Sequence, residues 1–226
     1  MLALAVCLLV FLLSTLPAFA RVLANGTSMT SGRFSSSVHW QSSGILTQGE
    51  CPTNVALNPC FTAELASTGD ESGNNRQRIE MFSWRPSKLG ESWVYDWEYY
   101  LVPGAGSSDH FFHLMQLFSR DAATFLIGLD LFNGAVRIFD TMEHPKTIAC
   151  PSIPLAEFEG KTTKHHMEVT FGSNGTIDCN STLLTYNTTG NVSAGASLKT
   201  GLYRLIQPDQ TNATAHLGDF SFVKTE

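Results

Sequence analysis

The stretch DHFFHLMQLFSR, Asp109 to Arg120, is rich in Phe, Leu and Met, yet His110, His113, Gln116 and Arg120 punctuate it. Imidazoles exchange protons near neutral pH, and amides and guanidinium groups donate hydrogen bonds to carboxylates. Two further segments carry compatible residues: Arg78 and Glu80 in RQRIEMFSW, and Lys199 and Tyr203 in LKTGLYRLI. Brought together, this set would hold an anion and set a phenol or an imidazole beside it for proton transfer. The plainer readings are a hydrogen-bonded amide on a half-exposed strand for Gln116 and an ordinary packed aromatic for Tyr203.

Strands must do the positioning. Period-two alternation puts Arg76, Arg78, Glu80, Phe82 and Trp84 on one face of their segment, and Ser197, Lys199, Gly201 and Tyr203 on one face of theirs, opposite Leu198, Leu202 and Ile206. In the Asp109–Arg120 stretch it groups His110, Phe112, Leu114, Gln116, Phe118 and Arg120, and sets His113 on the other face with Met115 and Leu117. His113 can join Gln116 only through a β-bulge. The alternating series Trp93, Tyr95, Trp97 and Tyr99 reads as core or as a sugar-stacking platform. His165 and His166 open a strand and are expected at the surface.

Short β-rich segments recur between turn signals such as Asn133-Gly134 and Ser173-Asn174-Gly175, and no capped amphipathic helix appears. This predicts an all-β sandwich or jelly roll. Neither a repeat nor a second composition regime interrupts residues 38–226, which are read as one domain; residues 21–37, rich in Ser, Thr and Gly, are expected to be a flexible lead-in.

Residues 1–20 carry no charge and end on Ala18-Phe19-Ala20, the small-x-small pattern of a cleaved secretory signal. The mature chain is therefore expected outside the cell, as a monomer without a membrane anchor. Apart from Cys7 in that segment, Cys51, Cys60, Cys150 and Cys179 form an even set, and an oxidising compartment implies two disulfides. Of the three pairings, proximity favours Cys51 with Cys60 and Cys150 with Cys179. The absence of C-x-x-C argues against zinc, and no pattern indicates calcium or another metal. Six N-x-S/T sequons, at Asn25, Asn174, Asn180, Asn187, Asn191 and Asn212, predict glycosylation, and the four between Asn174 and Asn191 predict a solvent-facing loop or hairpin. A net charge of −6 with no basic stripe disfavours nucleic acid, so an anionic ligand needs local cations.

LKTGLYRL followed by GDFSFVKT resembles the K-x-G-x-Y strand and closing strand of the concanavalin-like polysaccharide lyases, the alginate lyase and glucuronan lyase families. RIE at Arg78 to Glu80 is similar to their R-x-E strand, HLMQL to the strand carrying their active-site Gln, and WVYDWEYYLVPG to the aromatic strand before it. The resemblance spans most of Val38 to Glu226 in strand order and spacing. It implies a β-jelly roll of two antiparallel sheets with a concave groove, and β-elimination on a 1,4-linked polyuronide such as glucuronan, with no cofactor required. By the same resemblance Tyr203 is the acid and base, Gln116 binds the uronate carboxylate, Arg78 supports it, and His113 or His110 is a second base or carboxylate ligand. Lys199, on the Tyr203 face, assists the phenol, and Glu80 and Arg120 join the substrate-binding set. The pattern is incomplete: Phe118 stands where alginate lyases have His, Phe82 where they have a second Arg, and Ser197 where another Tyr is common. A non-catalytic, lectin-like carbohydrate-binding protein on the same scaffold is the competing expectation. The E-x-D-x-x-E arrangement of retaining β-glucanases is absent, which disfavours hydrolysis by a carboxylate pair.

Overall fold

The structure, a computed structural model, describes residues 20–69, 73, 75–142 and 149–226. The secretory-signal reading therefore lies, apart from Ala20, outside the described residues. In chain order the elements are β1 (Arg21–Asn25), β2 (Thr30–Arg33), β3 (Val38–Ser42), β4 (Ile45–Gly49), β5 (Cys60–Leu65), β6 (Arg76–Ser83), β7 (Ser92–Leu101), β8 (Phe112–Ser119), β9 (Thr124–Phe132), β10 (Ala135–Asp140) and β11 (Ser152–Pro154). They continue with the short helix α1 (Leu155–Phe158), β12 (Thr162–Thr170), β13 (Gly172–Ser181), β14 (Thr185–Val192), β15 (Ala196–Leu205) and β16 (Ala213–Lys224).

Two antiparallel eight-stranded sheets form a β-sandwich jelly roll. The first runs β1-β4-β5-β16-β7-β12-β13-β14, and the second β11-β10-β9-β8-β15-β6-β3-β2. Three segments far apart in sequence thus become neighbours, because β15 lies between β8 and β6. Alternation explains the burial: Ile79 and Met81 of β6, Leu117 of β8, and Leu198 and Leu202 of β15 pack inward against Trp93, Tyr95, Trp97 and Tyr99 of β7. That aromatic series is core. Among the described residues no helix is long and apolar enough to cross a membrane.

Several expectations need correction. Residues 21–37 hold β1, paired with β4, and β2, paired with β3, so the lead-in carries edge strands of both sheets. His165 is buried, stacked on Trp97 at a centroid distance of 4.8 Å, with Nε2 2.8 Å from the Thr163 hydroxyl. Burial lowers its pKa to about 3; only His166 is half-exposed, with 40 % of its side chain accessible. Cys51 and Cys60 are disulfide-bonded, but Cys150 and Cys179 are free thiols. Cys179 faces inward opposite Tyr186, and burial raises its pKa, so the reactive thiolate is disfavoured.

Asn174 and Asn180 lie on β13, and Asn187 and Asn191 are exposed on β14, the edge of the first sheet. Asn25 ends β1 and Asn212 precedes β16, so none of the six sequons falls on a strand of the second sheet.

Candidate active site

The register of the second sheet assembles the cluster. Lys199 pairs with Phe82 and Gln116, Gly201 with Glu80, and Tyr203 with Arg78 and His113. The register between β15 and β8 shifts between Thr200 and Tyr203, and between β8 and β9 it shifts between His113 and Met115. These irregularities bring Leu114 and Met115 both into the core and return His113 to the Gln116 face. Strict alternation fails here, and the bulge it required is present.

Gly201 is where the local sequence admits no substitute. Its φ is +146°, and an added Cβ would lie 2.0 Å from the Ile79 carbonyl oxygen. Its own carbonyl accepts a hydrogen bond from the Tyr99 hydroxyl at 2.9 Å, joining the core to the floor of the site. A side chain at this position would push β15 away from β6 and carry Tyr203 off its partners.

Two groups of side chains meet here. In the first, Glu80 is 2 % exposed and accepts 2.6 Å hydrogen bonds from Gln116 Nε2 and Gln41 Nε2. Arg78 and Lys199 approach the same carboxylate at 3.7 and 4.0 Å. Glu80 thus orients the amides and cations from below, a supporting position where direct substrate contact was expected. The second group surrounds Tyr203. Its hydroxyl accepts a hydrogen bond from Arg76 at 3.1 Å, and the Arg78 guanidinium lies over its ring at 4.3 Å. His113 stands 5.7 Å away between ring centroids, packed between Phe111 and Phe125, with Nδ1 2.5 Å from the Asp130 carboxylate. An aspartate bound to one imidazole nitrogen leaves the other to exchange protons, the geometry a general base uses.

The remaining expected residues lie elsewhere. His110 precedes β8, outside the strand alternation, and its Nδ1 is 2.6 Å from Asp109. Arg120 follows β8 and donates to the Ser197 hydroxyl at 3.1 Å and the Gly195 carbonyl at 3.4 Å, at the opposite end of β8 from His113. Lys199 lies 4.5 Å over the Phe118 ring, and the cation at the Tyr203 hydroxyl is Arg76 instead. The sequence reading missed Asp130, Gln41 and Arg76. Asp130 had a signal, as the one acid within TFLIGLDLF; Arg76 was on the correct face, and Gln41 had none.

No family model and no curated protein sequence matches the chain. Solved structures do. The endo-β-1,4-glucuronan lyase from the fungus Trichoderma reesei superposes with a TM-score of 0.62 at 11 % identity, covering 87 % of this chain and 94 % of that one. The fold is that of the jelly-roll polysaccharide lyases. The family 7 alginate lyase A1-II', solved with a GGMG substrate, gives 0.58 at 12 % identity over 78 % of this chain and 84 % of its own. The alginate lyase from Corynebacterium sp. gives 0.53 at 12 % identity, with coverages of 73 % and 77 %.

Proposed function

We propose that the chain is a secreted polysaccharide lyase that cleaves a 1,4-linked, glucuronan-like polyuronide by β-elimination. The observation that carries the reading is the convergence of Tyr203, the His113–Asp130 pair, Gln116 and two arginines on one sheet face. The uronate carboxylate docks against the Gln116 amide and the Arg78 guanidinium, which spreads its charge and makes the C5 proton removable. Tyr203 takes that proton and returns one to the glycosidic oxygen as the C4–O bond breaks, leaving a C4–C5 double bond in the new end sugar. His113, oriented by Asp130, is the second base. Arg76 stands where negative charge appears on the phenol oxygen. Placement of the exposed sequons on the first sheet supports secretion with the site face uncovered.

A second reading, non-catalytic carbohydrate binding, is favoured by Phe82 and Phe118 standing where alginate lyases carry Arg and His, and by the burial of Gln116 to 3 % exposure. One assay separates the two. Purified protein is incubated with glucuronan, alginate and related polymers while the ultraviolet absorbance of an unsaturated uronate is followed. Tyr203→Phe should reduce the rate at least about 100-fold with the fold unchanged, since only the titratable hydroxyl is lost. Polymer binding with no absorbance on any polyuronide would leave the lectin-like reading; full activity of Tyr203→Phe would refute the role of that residue.

A further inference from the structure

The second sheet carries another cation that the proposed chemistry does not use. Arg137 is on β10, and the register links it through Asp130 and His113 to Tyr203, strand by strand. It stands three strand spacings from Tyr203, roughly 14 Å, and two from His113, roughly 10 Å. A sugar touching Arg137 is therefore further along the polymer than the one being cleaved.

The intervening floor is aromatic. His113 meets Phe125 at 4.9 Å between centroids, and Phe125 meets Phe139 at 5.7 Å. Phe139, on the same face of β10 as Arg137, is 40 % exposed although large and apolar. Its cross-strand partner is Gly128, which in turn pairs with Gln116, and over that glycine lie the Phe125 ring edge and the Asp130 carboxylate, 3.4 and 3.1 Å from where a Cβ would stand. Sugars bind such surfaces by laying their C–H faces on aromatic rings and directing polar groups to the flanks.

Arg137 is on that flank. Its guanidinium carbon lies 3.6 Å over the Phe132 ring centroid and 5.0 Å from that of Phe139. Its Nε is buried and makes no hydrogen bond, and among the described residues no carboxylate pairs with the group. A buried guanidinium nitrogen without an acceptor is costly. The other cations of this face differ: Arg78 and Lys199 share Glu80, and Arg76 bonds Tyr203.

We infer that Arg137 and Phe139 form a distal subsite for a second uronate, Phe139 stacking on the sugar and Arg137 receiving its carboxylate. This rests on the polyuronide reading above and extends it, making the site face an extended cleft that grips a charged chain beyond the bond broken. A bidentate carboxylate suits a planar guanidinium better than it suits an ammonium.

The test uses Arg137→Met, which keeps a long apolar stem on Phe132 and removes the charge. In a Tyr203→Phe background, binding of glucuronan oligomers of increasing length is measured by calorimetry, beside a carboxyl-reduced, neutral glucan of the same lengths. Arg137→Met should weaken the longer oligouronides about 10-fold and leave the neutral chains as they were. With Tyr203 intact, the loss should fall on KM, because a contact made equally in ground and transition states does not alter kcat. Equal affinity for long oligouronides with and without Arg137, or equal weakening of charged and neutral chains, would overturn the subsite while cleavage persists. If the unaltered protein neither binds nor cleaves any polyuronide, the function itself falls. Near-ultraviolet circular dichroism of Arg137→Met verifies that its packing is retained.

Discussion

The two sheets present contrasting outer faces. Outside the first sheet lies a hollow of about 630 Å³, bordered by Glu168, Asp178, Asn187 and Glu226. Elsewhere on that face charges pair with sequence or strand neighbours: His166 with Asp96 and Glu168, and Lys164 with Glu98. The second sheet sinks its acids, Glu80 and Asp130, to 2 and 3 % exposure and gathers cations, imidazole and phenol above them. An acidic hollow repels a polyanion, whereas buried acids steady a cationic surface without presenting negative charge to solvent. Volume marks one face, and chemistry marks the other.

The contrast is broken most severely at Glu80. Glu80→Gln removes the charge shared by Arg78 and Lys199 and turns an amide donor toward two amide donors. Loss of one member of a buried ionic network costs about 3 kcal/mol, and the urea midpoint should fall accordingly. Activity should fall as well, because the Gln116 amide loses its orientation. An unchanged midpoint would mean that the carboxylate is not the support described here.

Asp130→Asn is narrower. The amide fills the same volume, so stability should change less than for Glu80→Gln, while His113 loses the charge that orients its ring. A kcat reduction of roughly 10- to 100-fold is expected, the lower part of the range for a general-base contribution, with KM little altered. A fall of kcat in Tyr203→Phe/Asp130→Asn no greater than in Tyr203→Phe alone would place both residues in one step. Independent, multiplying losses would separate them.

Much of this was legible in the residues. Alternation correctly assigned Lys199, Gly201 and Tyr203 to one face of LKTGLYRLI and Arg78 and Glu80 to one face of RQRIEMFSW, and because those strands pair without a bulge the two sets share a face of the sheet. It failed at His113 because a one-residue irregularity reverses every assignment beyond it, and β8 leaves only a run of apolar residues in which to find it. Gln41 was invisible for a different reason: its role exists only because β3 pairs with β6, a contact across 39 positions. Cys150 with Cys179 shows the limit of proximity in sequence, since both pack on the core and the two thiols are nevertheless free.

The smallest effect sharpens the comparison from the first sheet. His165 and His166 are adjacent on β12 and face opposite ways, so they respond to pH with opposite signs. Hydrogen bonds to Asp96 and Glu168 raise the pKa of His166 above 6.5. The unfolded chain releases that proton at lower pH than the fold does, so the stabilisation is full below pH 6.5 and fades as pH rises through the higher folded value. His165 is held neutral by burial, with a pKa of about 3. There the unfolded state gains the proton first, and the fold loses stability as pH drops below 6.5. Solvent screens the His166 pairs, so their contribution should stay below about 1 kcal/mol. His166→Gln should therefore lower the urea midpoint slightly at about pH 5.5 and not at about pH 8.5, and the difference should shrink at about 0.5 M salt. A deficit equal at both pH values would show that His166 acts by packing, and the division between an openly paired face and a buried-acid face would lose its electrostatic basis.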